Sequence, residues 1–264
     1  MKLLNGLEIA GFIKERHAKQ VRSLHANKIY PKLAIIQTKD DPVINTYVRL
    51  KKAYGSDIGV TVEDHIVLQH DVPKILNKLN SDESVHGIIV QLPLQDPSQT
   101  DEVVNLVAAS KDVDALGRES NFEPATPMAI LWLLSGYNVD LTGRKILLIG
   151  RGKLVGAPLE KIFKNSGYSV EVIDREIPDL AERTREADVI ITATGSPAIL
   201  YPGMIKQGAV VVDAGVASEE GKTVGDLAPE VYKRDDLTIT PEKGGVGPLT
   251  VCALFENVIR AASQ

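Results

Sequence analysis

Apolar and polar residues alternate along the chain in two kinds of segment. Short, β-branched apolar runs predict strands buried on both faces, over residues 33–37, 87–92, 145–150, 169–174, 188–194 and 209–215. Longer amphipathic segments between them predict helices over residues 44–57, 72–80, 100–109 and 154–167. Strands that alternate with helices are typical of parallel sheets with right-handed crossovers, so the pattern predicts an α/β fold.

Two changes in composition indicate how this fold is divided. Residues 111–127 form a loop rich in charge, glycine and proline, and a Thr-Pro pair at its end opens a helix as N-cap and first-turn proline. Residues 241–248 form a second, glycine-rich connection, and the amphipathic helix after it can return to the first half. We predict a first domain of residues 1–120, completed by a C-terminal helix at 248–264, and a second domain of residues 121–247.

Composition narrows the class of protein. The 264 residues carry a formal net charge of −5 and no basic block, which argues against nucleic acid as a partner. No apolar stretch approaches the ~18 residues of a membrane span, and the N-terminal segment meets charge too early for a secretion signal, so we expect a cytoplasmic protein that binds no membrane. Cys252 is the single cysteine and the five histidines lack metal-ligand spacing, so neither an intrachain disulfide nor a metal site is predicted.

A glycine-rich turn lies where a predicted strand meets a predicted helix. Gly150, Gly152 and Gly156 form a pattern one residue longer than the usual dinucleotide fingerprint. Glycines there let backbone N–H groups approach a pyrophosphate at the helix N-terminus, although a plain strand-to-helix turn has the same composition. Asp174 ends the next predicted strand, close to the offset of about 20 residues at which an acid binds the ribose of such cofactors. The segment therefore predicts a dinucleotide-binding domain.

Polar side chains suited to chemistry occur at two further places. Tyr47 and Lys51 are four residues apart on a predicted helix, so a phenol and an amine share one face. A desolvated lysine has a lowered pKa that suits proton transfer; the plain alternative is a lysine in solvent. Gln91 closes an apolar strand, where its amide either faces a ligand crevice or holds the following loop.

Two loops leave their role open on the residues alone. Lys111–Asp114 reads Lys-Asp-Val-Asp, and a charged loop of this kind is most often simply solvated. Gly244–Pro248 places three glycines and a proline ahead of a helix, either to present N–H groups to a ligand or as a tight connection.

Taken in order, these segments resemble the bifunctional methylenetetrahydrofolate dehydrogenase/methenyltetrahydrofolate cyclohydrolase family. The resemblance runs nearly from end to end, and the order and spacing of its motifs are specific. It is carried by DDP…YVRLK (40–51), GIIVQLPL (87–94), KDVD (111–114), PATP (124–127), IGRGKLVGAP (149–158), ITATGSP (191–197), VVVDAGV (210–216), VGD (224–226) and GGVGPLT (244–250).

The resemblance implies an architecture and a reaction. It implies an N-terminal three-layer α/β folate-binding domain, a Rossmann-type nucleotide-binding domain, a cleft between them, and a homodimer that pairs through the nucleotide domains. It implies an enzyme of one-carbon metabolism that oxidises 5,10-methylenetetrahydrofolate with NADP and hydrolyses the methenyl product to 10-formyltetrahydrofolate. The alternatives are a monofunctional or NAD-linked member of the family and a non-catalytic, ligand-sensing relative.

The resemblance also implies roles for particular residues. Lys51 would be the catalytic lysine, with Tyr47 stacking near the pterin and Gln91 orienting the lysine. Asp114 would hold the amino-pyrimidine edge of the pterin through paired hydrogen bonds. The other residues implied to bind the folate are Val90, Leu92, Gly244, Gly245, Val246 and Gly247. The residues implied to bind the cofactor are Gly150, Arg151, Gly152, Val155, Gly156, Asp174, Arg175, Thr194, Gly195 and Val216.

The sequence departs from the family pattern near both predicted sites. Asp174 favours NAD, because an anion repels the 2′-phosphate of NADP in a poorly solvated cleft. Arg151 and Arg175 favour NADP, because two guanidiniums can hold that phosphate. Two cations against one anion, together with the family's habit, predict NADP. Family members usually carry Ser, Gly, Cys, Asn, Val-Pro and Ser where this chain has Ile44, Ala115, Ala125, Ala217, Glu242-Lys243 and Gly152.

Overall fold

The computed structural model describes residues 1–219 and 222–264. In these residues the strands are β1 (Lys2–Leu3), β2 (Lys32–Gln37), β3 (Thr61–Ile66), β4 (Gly87–Val90), β5 (Ile146–Ile149), β6 (Val170–Ile173), β7 (Val189–Thr192), β8 (Val210–Asp213), β9 (Ala217–Glu219), β10 (Lys222–Val224) and β11 (Thr238–Ile239). The α-helices are α1 (Gly6–Ala26), α2 (Pro42–Ile58), α3 (Val72–Ser81), α4 (Thr100–Val104), α5 (Ala125–Gly136), α6 (Gly156–Asn165), α7 (Leu180–Glu186) and α8 (Val246–Ala262). Short 3-10 helices lie at Gln69–Asp71, Pro97–Gln99, Pro202–Met204 and Pro229–Lys233. Each helix in these residues is too short or too polar to cross a membrane.

The chain folds as two compact units. Unit 1 comprises Met1–Ala10 and Thr126–Thr250, and unit 2 comprises Gly11–Ala125 and Val251–Gln264. The first ten residues therefore group with the glycine-rich turn, whereas the sequence pattern predicts them in the first domain.

Unit 2 is built on a three-stranded parallel sheet of order β3-β2-β4. β2 lies in the middle of this sheet, and its residues from Leu33 to Gln37 are buried. Helix α3 turns apolar residues such as Leu76 toward strand residues such as Ile36 and Ile88, and together they form one core cluster. Polar residues lie beyond this core, at the carboxyl ends of β2 and β4.

Helix α2 has clear signals at both ends. The Asp41 side chain caps its first turn by accepting hydrogen bonds from the N–H groups of Val43 and Ile44, at 2.9 and 3.3 Å. The helix ends at Gly59, which adopts a left-handed φ of 87° that favours glycine. These two ends fix the position of the helix that carries Lys51.

Unit 1 contains a six-stranded parallel sheet of order β1-β11-β8-β7-β5-β6 and an antiparallel pair formed by β9 and β10. The chain passes from β5 to β6 on one side and then to β7 on the other, so the strand order reverses at β5. Ligands of open α/β sheets bind at such a reversal, at the carboxyl ends of the strands. Both β5 and β7 are wholly buried, as strands in the middle of a parallel sheet should be.

The structure corrects several secondary-structure predictions. The prediction that residues 169–174 form a strand buried on both faces is wrong, because β6 is an edge strand with none of its residues fully buried. The helix predicted over 100–109 is too long, since α4 ends at Val104. Helix α5 starts at Ala125, one residue before the predicted N-cap. Among the strands and α-helices of the described residues, those that the pattern does not predict are β1, β3, β9, β10, β11, α1 and α7.

Candidate active site and nucleotide site

A lysine and a glutamine meet at the end of β4 in unit 2. Lys51, on α2, donates a hydrogen bond from Nζ to Gln91 Oε1 at 2.6 Å. The Gln91 Nε2 group donates to the carbonyl of Leu92 at 3.1 Å, and the Gln91 backbone N–H donates to Ile36 at 2.9 Å. Because the amide nitrogen is occupied, the amide oxygen faces the lysine. Gln91 therefore holds the loop, as one interpretation of its sequence position expects, and also orients the amine, whereas its position in a ligand crevice stays a prediction.

The charge state of Lys51 is set mainly by its surroundings. Burial lowers the pKa of the Lys51 amine, and the charge of Asp114 opposes this shift. Burial likewise raises the pKa of Asp114, and the Lys51 charge opposes that shift. A lysine with a lowered pKa reaches its neutral, basic form closer to physiological pH. The alternative of a lysine that simply lies in solvent does not fit, because Lys51 is partly buried and donates a hydrogen bond to Gln91. Tyr47 lies one turn earlier on the same helix and is partly buried.

The loop that carries Asp114 is held by its neighbour Asp112. The Asp112 carboxylate accepts hydrogen bonds from the N–H groups of Leu116 and Gly117, at 3.3 and 2.8 Å, and is only 3% exposed. Burial raises the pKa of Asp112 and these N–H bonds lower it. Ala115 adopts a φ of 55°, in the left-handed region where family members usually carry glycine. The loop is thus held by defined hydrogen bonds rather than simply solvated. Sequence reasoning missed this structural role of Asp112.

Two of the residues predicted to bind folate lie in the hydrophobic core or pack against it. The Val90 side chain is 2% exposed and packs in the core cluster of unit 2, against which Leu92 also packs. Any contact of Val90 with a ligand is therefore left to its backbone. Ile44 and Ala125, two departures from the family pattern, are buried as well.

In unit 1 the glycine-rich turn follows β5 directly. A Cβ on Gly156 would lie 2.0 Å from the Gly150 carbonyl oxygen, and a Cβ on Gly150 would lie 2.7 Å from the Ala193 carbonyl oxygen. Gly150 also has a φ of 97°. Glycine is therefore required at both positions by close backbone approach. A Cβ on Gly152 would meet nothing within 4 Å, so the turn has room for the serine usual at this position. Val155 directly precedes helix α6.

The predicted phosphate ligand Arg151 is bound by an acid that sequence reasoning missed. Arg151 donates from Nε to Glu160 Oε2 at 2.8 Å and from Nη2 to Glu160 Oε1 at 3.1 Å. Lys164 donates to the same Oε1 at 2.6 Å, and hydrogen bonding by Lys164 and the Arg151 charge keep the Glu160 pKa low despite desolvation. The only sequence signal is the i,i+4 pairing of Glu160 with Lys164. Asp174 directly follows β6 and is exposed.

Arg175, the second predicted phosphate ligand, is also exposed. Its Nε lies 3.5 Å from Glu176 Oε1, and 46% of its side chain is accessible. The structure therefore gives the two arginines different partners: Glu176 is exposed, whereas Glu160 is buried. Arg151 has the more defined orientation of the two.

The remaining predicted cofactor residues lie at the same edge of the sheet. Thr194 and Gly195 follow β7, and Val216 follows β8. A Cβ on Gly195, whose φ is 64°, would lie 3.2 Å from the Val216 carbonyl oxygen. The structure thus brings these residues together beside the Gly150 turn, at the strand-order reversal.

The four residues Gly244–Gly247 belong to unit 1. The Leu7 N–H donates to the Gly244 carbonyl at 3.1 Å, and a Cβ on Gly6 would lie 1.8 Å from the Gly245 carbonyl oxygen. The segment is therefore a tight connection to the start of α1, and its contact with a folate stays a prediction. Helix α8 begins at Val246, two residues before Pro248.

The fold and these two sites define an α/β protein with a Rossmann-type nucleotide unit. Residues 4–114 match the catalytic domain of tetrahydrofolate dehydrogenase/cyclohydrolase, and residues 124–264 match its NAD(P)-binding domain. The chain therefore belongs to the tetrahydrofolate dehydrogenase/cyclohydrolase family. The family and the two-domain α/β fold predicted from the sequence are confirmed.

Individual relatives extend over the whole chain. The Bifunctional protein FolD of Campylobacter jejuni (strain RM1221) is 37% identical, with 100% of this chain and 99% of the relative covered. The FolD crystal structure from Campylobacter jejuni superposes with a TM-score of 0.93 at 36% identity, over 100% of this chain and 99% of that one. The Trypanosoma brucei FolD structure, complexed with NADP and an inhibitor, has a TM-score of 0.92 at 28% identity, over 99% and 97% of the two chains.

Proposed function

We propose that the protein oxidises 5,10-methylenetetrahydrofolate to 5,10-methenyltetrahydrofolate with NADP and hydrolyses this product to 10-formyltetrahydrofolate. The observation that carries the proposal is the Lys51–Gln91 hydrogen bond of 2.6 Å, in which an oriented amide holds an amine of lowered pKa. Family membership supplies the substrate class, and the chemistry of these side chains suits it.

The hydrolysis needs a base but no metal. Water adds to the cationic methenyl carbon between N5 and N10, and neutral Lys51 accepts the proton that the water loses. The C–N5 bond then breaks as the new hydroxyl loses its proton and N5 gains one, which leaves the formyl group on N10. One proton is released overall, from Lys51 to solvent. A lysine of lowered pKa supplies this base near neutral pH.

The oxidation requires mainly that the protein bind the folate and the cofactor and orient them toward each other. When bound, NADP supplies the carbon that accepts the hydride from the methylene group. The residues of unit 1 fit such a cofactor, because Gly150 and Gly156 allow a close backbone approach in the turn where a Cβ would collide, as a pyrophosphate-binding turn requires. This turn would present N–H groups to the pyrophosphate at the start of α6. Asp114 would accept hydrogen bonds from the pterin and fix the folate relative to Lys51.

Arg151 supports the choice of NADP over NAD. Its side-on pairing with Glu160 uses Nε and one Nη2 hydrogen, which leaves the other edge of the guanidinium for a phosphate. Asp174 is exposed, so solvent weakens its repulsion of a 2′-phosphate. Arg175 would be the second ligand. We further propose a homodimer that works in the cytoplasm.

The test is an assay of the purified protein with methylenetetrahydrofolate and either NADP or NAD. Reduced cofactor and methenyl product are followed at separate absorbances, and methenyl hydrolysis is measured independently. We expect both activities and a higher kcat/KM with NADP. A clear preference for NAD would make Asp174 the ribose ligand, and binding of folate without turnover would refute the enzymatic proposal.

A further inference from the structure

Two carboxylates in unit 1 have no part in the function proposed above. Asp213 ends β8, and Asp226 closes the Val-Gly-Asp segment, to which the family resemblance gives no role. The side chain of Asp226 is fully buried. Buried carboxylates need several hydrogen-bond donors, and both residues find theirs in the loops at the carboxyl edge of the sheet.

Asp226 holds the loop after β7. Its Oδ2 accepts a hydrogen bond from the Thr194 N–H at 2.8 Å, and its Oδ1 accepts one from the Ser196 N–H at 3.0 Å. The N–H of Gly195, which lies between them, has no acceptor in the part of the chain that the structure describes, and Gly195 is exposed. One carboxylate thus fixes both neighbours and leaves the central N–H turned toward solvent.

Asp213 holds the segment that carries Asp226. Its Oδ1 accepts hydrogen bonds from the N–H groups of Asp226 and Gly215, at 3.1 and 2.9 Å. Its Oδ2 accepts from the Leu227 N–H and from the Tyr232 hydroxyl, both at 3.3 Å. The two acids are therefore linked in series, from β8 through the Val-Gly-Asp segment to the loop after β7. We call this pair, Asp213 and Asp226, the carboxylate clasp.

Two glycines make the clasp possible. A Cβ on Gly215 would lie 2.0 Å from Asp226 Oδ1, and a Cβ on Gly225 would lie 2.1 Å from Asp213 Oδ2. The atoms that such a Cβ would meet are the carboxylates themselves. They cannot move aside without breaking the hydrogen bonds of the clasp. Each acid therefore depends on a glycine beside the other acid, which explains the paired segments Asp-Ala-Gly and Val-Gly-Asp.

We propose that Asp226, supported by Asp213, is a positioning residue for the dinucleotide cofactor. It holds Thr194–Ser196 so that the Gly195 N–H faces the cofactor beside the Gly150 turn, where a Cβ on Gly150 would lie 2.7 Å from the Ala193 carbonyl oxygen. The ligand class is a nicotinamide dinucleotide, and the clasp never touches it. This inference rests on the function proposed above.

The test compares cofactor binding with a reaction that uses no cofactor. In the variant Asp226→Asn, the amide offers one acceptor and one donor group, so one of the two loop N–H groups faces a donor. We expect the KM for NADP and the dissociation constant of NADPH to rise about tenfold or more. We expect kcat/KM for methenyl hydrolysis to stay within about twofold, because unit 2 carries Lys51, Gln91 and Asp114.

Asp188→Asn is the matched control. Asp188 also accepts a backbone hydrogen bond, from the Lys145 N–H at 3.0 Å, but it lies at the amino end of β7. We expect this variant to keep the wild-type affinity for NADPH. Equal losses of affinity in both variants would show that general stability decides the result and would overturn the inference.

Tyr232→Phe keeps the inference testable if Asp226→Asn does not fold. It removes one of two hydroxyl donors to Asp213 and leaves the other, Thr192 Oγ1 at 3.2 Å, so we expect a rise of about two- to threefold in the NADPH dissociation constant. An unchanged constant in both folded clasp variants, or a parallel loss of methenyl hydrolysis, would contradict the proposal. Calorimetric binding of NADPH separates this inference from the proposed function, which fails instead if wild-type protein binds NADPH but oxidises no substrate.

Discussion

Replacing Lys51 by methionine tests the centre of the proposed hydrolysis. Methionine keeps most of the side-chain volume and removes the amine, so Gln91 Oε1 loses the hydrogen bond of 2.6 Å. Positioned general bases contribute about 10²–10⁴-fold to a rate, and we expect kcat for methenyl hydrolysis to fall by that factor. Oxidation should fall much less, because hydride transfer needs no proton from Lys51.

The neighbouring residue provides a matched control. Lys52 lies on the same helix, but its Nζ pairs with Asp64 Oδ2 at 2.8 Å and 45% of its side chain is exposed. Pairs as exposed as this one contribute about 0–1 kcal/mol, so Lys52→Met should retain hydrolysis within about twofold. The assay follows the loss of methenyl absorbance, with circular dichroism to show that both variants fold. Hydrolysis by Lys51→Met at a near wild-type rate would refute the assignment.

The pH dependence follows from the direction of the Lys51 pKa shift. Burial lowers this pKa below the usual 10.5, so the neutral base accumulates as pH rises through the lowered value. Hydrolysis should therefore increase with pH over that range and lose this dependence in Lys51→Met. Between the lowered pKa and 10.5, the unfolded chain holds one more proton than the native one, so the Lys51 contribution to stability rises with pH in the same window. Denaturant unfolding of the wild-type protein and of Lys51→Met across this pH range checks the sign of the Lys51 contribution.

Three further predictions concern single side chains. Glu160→Gln breaks the ion pair that orients Arg151, so the KM for NADP should rise about three- to tenfold while that for NAD stays unchanged; a lower KM for NADP would mean that Glu160 competes with the cofactor. Asp114→Ala should weaken binding of methenyltetrahydrofolate by about 1–3 kcal/mol in calorimetry, because pterin donors lose their acceptor; an unchanged dissociation constant would contradict its role. Ala115→Gly should raise the free energy of unfolding by about 0.5–1 kcal/mol, because relief of a φ of 55° outweighs the added entropy of the unfolded chain; a less stable variant in urea unfolding would disprove this.

The buried strands of both units could be predicted because their signal is local. Runs such as residues 146–149 are apolar and β-branched without interruption, which is what a strand covered on both faces requires. Strand β3 lacks this signal, since its sequence Thr-Val-Glu-Asp-His-Ile is polar and its residues are at most partly buried. The exposure of β6 depends on its place at the sheet edge, and only the tertiary topology sets that place.

The candidate sites show the same division between local and distant information. Lys51 and Gln91 could be found because one has helical i,i+4 spacing to Tyr47 and the other ends an apolar strand. The pairing of Arg151 with Glu160 could not, because it spans nine residues across a turn and depends on how α6 begins. The carboxylate clasp could not be predicted either, because neighbouring loops bring its residues together and no regular spacing in the sequence indicates the contact.

Three acids of this protein differ in the hydrogen bonds that their carboxylates accept, and this difference supports the roles proposed for them. Asp112 and Asp226 each accept hydrogen bonds from two backbone N–H groups and are buried, so they hold loops and are poorly accessible to a ligand. Asp114 is desolvated too, yet its carboxylate accepts no hydrogen bond from any residue that the structure describes, and the charge of Lys51 alone opposes the rise of its pKa. Asp114 is partly buried, and a desolvated carboxylate without protein donors is costly unless water or a ligand supplies them. The amino-pyrimidine edge of a pterin supplies two donors, which supports the proposal that Asp114 binds the substrate, whereas Asp112 holds the loop, although the two residues are only two positions apart.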